Sequence, residues 1–383
     1  MNRFLLFFMT PAIAFASCAD SAPADSSTFS AQASHTAASF YKRYEGTIAG
    51  QAVVVYLEKD DSNCNGHYYY TAIGKPIALS GKFIGKDSLL LHEYPVGNSY
   101  SDVGDPQLHC AFSGEKLVGE WSLADKKHPI SLQEKYPAGA YAFEMKKYLD
   151  TAMLTEDPNA PFASSGYKIP IASAKNEDAG WLNEQIKESV SEKNATGTID
   201  ERIKANNARY FADYRKENAE IVKDYAGRKE DYPYHLHYDA TTHYSIRYNE
   251  NGWVVIEQAY FSYTGGAHGN YGSFFSNYDV AGKKKWTLQD VVVADSASLQ
   301  QLLEQQFRKD YHLPAPKPLT EWLFEKHLAV TDNFYLNEKG LNFLYNPYEV
   351  APYAVGQIEV FIPYTLLDPY LTAAFKKRIT GSK

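Results

Sequence analysis

Short β-forming segments at nearly regular intervals between Phe40 and Leu132 are the feature that most limits the fold of this chain. They are rich in β-branched and aromatic residues, and turn-forming clusters separate them about every 8 to 12 residues. Because this region has no helical pattern, the spacing predicts an all-β antiparallel meander of about eight strands, closed as a small barrel or sandwich to protect its edges. The clearest segments are residues 53–57, 67–71, 77–80, 88–91 and 116–121.

The second half of the chain alternates between helix and strand. Leu182, Ile186 and Val190 recur every four residues, as on one apolar face of a helix. Thr198 and Glu201 have the spacing of a capping box at the start of a second helix, which continues to about residue 225. We therefore predict an α+β domain with a mostly antiparallel sheet. Its predicted strands are residues 234–238, 243–248, 253–263, 271–278, 334–336, 341–345 and 357–362, with helices from Asp295 and over 369–377.

These patterns place the domain boundaries. The meander is predicted over residues 39–136 and the α+β domain over residues 167–383. Residues 137–166 contain several prolines, and we interpret them as a connection with a short helix around Ala142 to Leu149.

The N-terminus has the features of an export signal. Arg3 precedes an apolar segment from Phe4 to Ala16, which is too short to cross a bilayer. Small residues then lead into Cys18, as in bacterial lipoproteins, so we predict a signal peptide over residues 1–17 and lipidation of Cys18. The alternative is an ordinary secretory signal cleaved near Ala16. Residues 18–38, rich in Ala, Ser, Asp and Pro, are predicted to be a flexible tether of an exported, periplasmic or outer-membrane-anchored lipoprotein.

The cysteine count supports this location. The chain has three cysteines, and lipidation of Cys18 leaves Cys64 and Cys110 as the remaining pair. In an oxidising compartment, we expect these two to form a disulfide that stabilises the meander domain by about 3 to 4 kcal/mol. Zinc binding is the competing interpretation, but no second pair of ligands accompanies the two cysteines.

Charge and hydropathy exclude several classes of protein. The net charge is -8 and the sequence pI is about 5.8, which argues against a dedicated nucleic-acid-binding protein. Mean hydropathy is -0.43, and the one strongly apolar run lies in the predicted signal peptide. Both observations argue against a protein with several membrane spans.

The sequence contains no recognisable catalytic signature. His235 and His237 lie two residues apart on one predicted strand, with His243 opposite across a turn, and this His-x-His pair could chelate zinc with His268 as a third ligand. No Asp or Glu stands at a recognisable ligand spacing. The Ser-x-x-Lys pattern that starts at Ser113 lies in a predicted hairpin turn and lacks its companion motifs, so we assign it to chance. We therefore predict no catalytic residue, no cofactor and no metal ion.

Several segments in the second half resemble one known family. In order and spacing, they are similar to the envelope domain shared by RsiV-type anti-sigma proteins and PdaC-type peptidoglycan deacetylases, and the resemblance covers about residues 160–375. It implies an extracytoplasmic α+β module for binding rather than catalysis, which in the anti-sigma members binds lysozyme. The segments that carry it are Tyr260–Tyr263, Gly265–Asn270, Phe275–Asp279, Trp286–Asp290, Phe334–Phe343, Tyr348–Tyr353 and Ile362–Tyr364.

The glycine-rich loop within these segments is our candidate binding loop. Consecutive glycines permit positive φ angles and the close approach of another chain, and His268 is the one side chain of the loop that titrates near neutral pH. One interpretation makes this loop a binding tip, or makes His268 a general base; the other makes it a strained strand connection that His268 stabilises. The candidate residues are Tyr263, Gly265, Gly266, His268, Gly269 and Asn270.

Together these features predict a lipid-anchored envelope protein that binds a macromolecular ligand. The expected partners are the membrane, through Cys18, and either a lysozyme-type muramidase or peptidoglycan; a nucleic acid is not expected. A negative net charge favours a basic ligand such as lysozyme. The alternatives are a cell-wall hydrolase that uses His268 as its base and a purely structural envelope lipoprotein.

Overall fold

The computed structural model describes residues 39–85, 87–96, 104–191, 195–225 and 232–381. The predicted signal peptide, the predicted lipidation site Cys18 and the predicted tether over residues 18–38 lie outside the described residues. No helix in the described part of the chain is long and apolar enough to cross a membrane.

The first domain is a closed eight-stranded antiparallel barrel, which confirms the predicted meander. Each strand pairs with the next one along the chain, and pairing of the first strand with the last closes the barrel. Gly81 and Gly119 lie where a Cβ would collide with a carbonyl of the neighbouring strand, so these positions require glycine. The strands are β1 Phe40–Ile48, β2 Gln51–Asp60, β3 Asn63–Tyr70, β4 Ile77–Ile84, β5 Ser88–Pro95, β6 Gln107–Phe112, β7 Lys116–Leu123 and β8 Lys126–Glu134.

The predicted disulfide is wrong. Cys64 lies on β3 and Cys110 on β6, and both are free, buried thiols in the barrel core. Strands β4 and β5 lie between them in the barrel order, so the two side chains enter the core from separated positions on its wall.

The second domain contains a six-stranded sheet of order β14-β13-β12-β11-β10-β9 and a three-stranded sheet of order β15-β16-β17. All neighbouring strands are antiparallel except β10 and β11, which confirms the predicted α+β class. The strands are β9 Phe143–Met153, β10 Phe162–Ala172, β11 Tyr238–Glu250, β12 Trp253–Tyr263, β13 Asn270–Asp279, β14 Lys284–Trp286, β15 Phe334–Leu336, β16 Gly340–Tyr345 and β17 Ile358–Pro363.

Two local predictions are corrected by this sheet. The helix expected from Ala142 to Leu149 is strand β9, which pairs along its whole length with β10. The strand expected from Tyr234 to Tyr238 is instead a 3-10 turn over Tyr234–Leu236, and strand β11 begins only at Tyr238. In both segments the pairing partners available in the tertiary structure decide the conformation.

Helices cover the sheets and agree with the capping signals in the sequence. The Thr198 side chain accepts from the backbone N–H of Glu201, and the Glu201 carboxylate accepts from the N–H of Thr198, so the predicted capping box is present. Asp295 caps the helix that follows it in the same way, through the N–H of Ser298. The helices are α1 Ala179–Ser189, α2 Ile199–Glu217, α3 Ala219–Tyr225, α4 Leu288–Val291, α5 Ser296–Asp310, α6 Tyr364–Leu367 and α7 Ala373–Thr380.

Three asparagine side chains join the two sheets of the second domain. Asn346 accepts from the backbone N–H of Ser273 at 2.8 Å, and Asn333 donates to the Ser273 carbonyl at 2.8 Å. Asn277 donates to the carbonyl of Phe334 at 3.0 Å. Asn333 and Asn346 satisfy backbone groups of β13, and Asn277 satisfies one of β15, so side-chain amides join the two sheets where no strand ladder connects them.

Candidate functional site

The candidate loop connects β12 to β13 and is shaped by its glycines. Gly265 and Gly266 have φ angles of 86° and 92°, a region that favours glycine. A Cβ on Gly265 would lie 2.9 Å from the carbonyl oxygen of His235, whereas a Cβ on Gly266 would meet open space. The Tyr263 hydroxyl donates to the Gly266 carbonyl at 3.1 Å and closes the turn. The loop is therefore held in one conformation by its own residues and by a close approach to the 3-10 turn.

His268 is exposed at the tip of this loop, and its ring is held on three sides. Nδ1 lies 3.0 Å from the Gly269 carbonyl oxygen, so Nδ1 carries the proton in the neutral ring. Nε2 then accepts from the Tyr348 hydroxyl at 3.4 Å. The imidazole also stacks on the ring of Tyr353, with centroids 3.9 Å apart and planes 20° apart. These contacts orient the ring and occupy its basic nitrogen.

Tyr348 and Tyr353 reach the loop from the connection between β16 and β17. The Tyr353 hydroxyl donates to the Gly269 carbonyl at 2.8 Å, and its ring meets that of Tyr271 edge-on at 5.7 Å. Tyr348 has a φ angle of 70° and is 55 % exposed. The Tyr348 and Tyr353 rings are 5.6 Å apart. Two connections far apart in sequence thus build one exposed aromatic surface, which we call the tyrosine–histidine patch (His268, Tyr348, Tyr353).

The sequence singled out the loop but missed the two tyrosines as site residues. Tyr348 and Tyr353 lie 80 and 85 positions beyond His268, and spacing alone does not pair them with it. The available signal was their presence in one of the segments that carry the family resemblance. Asn270 is exposed and begins strand β13, opposite Ser262.

The four histidines considered as zinc ligands do not come together as one metal site in the described structure, although His235 lies in the 3-10 turn close to Gly265. His237 contacts Phe162 and accepts from its backbone N–H, whereas His243 lies on β11 and pairs with Glu58. Among the residues that the structure describes, no group of three or more His, Cys, Asp or Glu side chains is arranged to hold a metal ion. The Ser-x-x-Lys pattern lies in the predicted hairpin, where the Ser113 N–H donates to the Lys116 carbonyl.

A buried ion cluster connects the barrel to the sheet. Glu58, at the end of β2, accepts from His243 Nε2 at 2.8 Å and from the backbone N–H of Ile246 at 3.2 Å, and Lys168 Nζ lies 3.5 Å away. Burial raises the pKa of this carboxyl, but the charges of His243 and Lys168 and these hydrogen bonds outweigh burial and lower it to about 2. The cluster thus holds an ionised carboxylate between the two domains.

A second carboxylate makes a parallel connection. Glu250, at the end of β11, receives hydrogen bonds at Oε1 from the Tyr56 hydroxyl at 3.1 Å and from the Tyr69 hydroxyl at 2.5 Å. Arg43, which is fully buried on β1, forms an ion pair with it at 2.8 Å. Because these are directional contacts on three barrel strands, they set the orientation of the barrel on the sheet.

Two models of known protein families match parts of the second domain. Residues 161–271 match the family model described as Deacetylase PdaC, and residues 289–365 match the model described as Protein of unknown function (DUF3298). These matches confirm the predicted resemblance and indicate an envelope-associated protein related to the cell wall. No curated protein matches the chain.

Two solved structures of DUF3298 proteins are similar to part of this chain. One from Bacteroides fragilis is 25 % identical, with a TM-score of 0.56, over 64 % of this chain and 98 % of that one. One from Pseudomonas aeruginosa PAO1 is 17 % identical, with a TM-score of 0.40, over 61 % of this chain and 96 % of that one.

Proposed function

We propose that this protein is a lipid-anchored binding protein of the cell envelope, whose ligand is a lysozyme-type muramidase or peptidoglycan. The observation that carries the proposal is the tyrosine–histidine patch. Its loop lies within the residues that match the PdaC model, and its two tyrosines lie within those that match the DUF3298 model. The patch is therefore built where the two matched regions meet.

The composition of the patch suits a binding surface. Tyrosine offers a large, rigid ring with a polar edge, which stacks on sugars and packs against proteins with little loss of conformational freedom. The stacking of His268 on Tyr353 and the hydrogen bonds to the Gly269 carbonyl orient these rings before any ligand arrives. The net charge of -8 favours a basic protein such as lysozyme.

Catalysis by His268 is the second candidate, and its contacts argue against it. A general base needs a free nitrogen within reach of the substrate and a group that raises its basicity. Here Nδ1 faces a backbone carbonyl and Nε2 faces a phenol. The catalytic hypothesis predicts that His268→Ala abolishes turnover of peptidoglycan while the fold is retained. The binding hypothesis predicts no turnover by either protein.

Binding is tested by calorimetry of the purified chain with lysozyme at physiological salt, and in parallel by sedimentation with peptidoglycan sacculi. We expect one of the two to bind, and expect Tyr353→Ala and Tyr348→Ala each to weaken that binding about tenfold or more. The matched control is Phe274→Ala. Phe274 is also an exposed aromatic, 50 % accessible, but it lies on the opposite face of β13 from Tyr271.

The outcomes separate the hypotheses. Loss of binding in the two tyrosine variants with retention in the Phe274 variant supports the patch. Equal losses in all three variants would refute this location. Absence of binding to both lysozyme and sacculi would refute the function and favour a structural lipoprotein. Mass spectrometry of the chain from envelope fractions tests the anchor, since the proposal requires acyl chains on Cys18.

A further inference from the structure

The two ends of the barrel differ in chemistry. At one end, the rings of Phe40, Phe83 and Phe112 fill the interior, with centroid separations of 5.6 Å for Phe40–Phe112 and 5.1 Å for Phe83–Phe112. At the other end, a carboxyl group points inward instead. Glu93 follows Leu89 and Leu91 on the buried face of β5 and is only 6 % exposed. Phenylalanine rings thus fill one end of the barrel, whereas the buried carboxyl group of Glu93 lies at the other.

Hydrogen bonds hold the Glu93 carboxyl by one oxygen. The Tyr68 hydroxyl donates to Oε1 at 2.6 Å and the Trp121 indole N–H donates to the same atom at 2.7 Å. In the described part of the chain, Oε2 accepts no hydrogen bond, and no Lys or Arg forms an ion pair with Glu93. Burial raises the pKa of this carboxyl because the two hydrogen bonds do not fully offset it. Among the described residues, the site thus leaves Oε2 of Glu93 without a hydrogen-bond donor and supplies no cation to pair with it.

Several aromatic side chains lie at this end of the barrel, each close to the end of its strand. Tyr70, at the end of β3, meets the ring of Tyr68 edge-on at 5.5 Å, and both Tyr70 and Trp121 are half-buried. His128, which pairs with Trp121 across β7 and β8, is exposed at the rim with its ring 5.5 Å from the indole. A carboxylate among aromatic rings is the kind of surrounding in which proteins bind organic cations.

We propose that this end of the barrel binds a small primary ammonium compound, with Glu93 Oε2 as the charged acceptor and Trp121 and Tyr70 as the ring walls. An ammonium group supplies the missing cation and donates the hydrogen bond that Oε2 can accept. An eight-stranded barrel has room for no more than one small ligand, which limits the size of the compound. This site is independent of the tyrosine–histidine patch and lies in the other domain.

The experiment titrates the purified full chain with n-butylammonium, and with n-butanol as the uncharged control of the same shape. Binding is followed by calorimetry and by the indole N–H resonance of Trp121, identified among the five tryptophans with Trp121→Phe. We expect saturable binding of the ammonium compound within about 50 mM, since a ligand of so few atoms binds weakly. The Trp121 resonance should shift as the site fills.

Variants then test the role of the carboxyl. Glu93→Gln keeps the shape and removes the charge, and we expect it to weaken binding about 10- to 100-fold. Glu120→Gln, on the outer face of β7, is the control and should bind like the parent protein. No saturation in the parent protein, equal binding of butanol, or undiminished binding by Glu93→Gln would each overturn the proposal. The first two results need no variant and stand even if Glu93→Gln does not fold.

Discussion

Replacing Glu58 by glutamine tests whether the ion cluster holds the barrel on the sheet. The fall of its pKa from an ordinary 4.5 to about 2 corresponds to about 3 kcal/mol of stability at neutral pH. Glu58→Gln removes this contribution and leaves Lys168 buried without its partner. We therefore expect the free energy of unfolding at pH 7 to fall by about 3 kcal/mol, a loss in the range typical of broken buried pairs.

The same residue predicts a pH dependence. Because the folded pKa lies below the unfolded one, the contribution of Glu58 is fully present above about pH 4.5 and is lost as the pH falls towards 2. Urea denaturation at pH 7 and at several values between 4.5 and 2 measures this effect. The parent protein should lose stability across this interval, and the difference between it and Glu58→Gln should shrink.

Two further variants show whether the cluster is the cause. Glu120→Gln removes an exposed carboxylate whose partner Lys127 is also exposed, so it should change the free energy of unfolding by less than about 0.5 kcal/mol. Adding Lys168→Met to Glu58→Gln should recover part of the lost free energy of unfolding, because the double variant no longer buries an unpaired lysine charge. A loss below about 1 kcal/mol for Glu58→Gln at pH 7, or a difference that does not change with pH, would refute the reasoning.

Three other predictions follow from single contacts. Gly265→Ala should destabilise the protein by about 1 to 3 kcal/mol, and by more than Gly266→Ala. Both glycines have positive φ angles, but only Gly265 lies close to the His235 carbonyl. Equal melting temperatures for the two variants would contradict this reasoning. Asn346→Ala should cost about 1 to 3 kcal/mol in urea denaturation because it leaves the buried backbone N–H of Ser273 without its partner, whereas exposed Asn270→Ala should cost little. Burial raises the pKa of Cys64 and Cys110 to about 12, so neither thiol should react with a thiol reagent in the native protein. Because both are free, both should react in denaturant without any reductant. If they do not react in denaturant, the two cysteines form a disulfide after all.

The barrel and the helix starts could be predicted because their signals are local. Strand alternation and turn residues recur over a few positions, and the partner of each barrel strand is the next strand along the chain. The capping box of Thr198 and Glu201 spans four residues and needs no tertiary contact. The same holds for the positive φ angles of Gly265 and Gly266, which only glycine adopts readily.

Tertiary structure decided the features that depend on distant partners. Residues 142–149 have helix-forming composition, yet pairing with β10 makes them a strand, since ladder hydrogen bonds outweigh a weak local preference. Two cysteines in one domain suggested a bond, but the strand order of the barrel separates them. The patch forms only when the sheets pack and Tyr353 reaches His268. The sequence by itself thus determined the local strands, turns and helix caps, whereas tertiary packing decided the contacts between residues that are far apart along the chain.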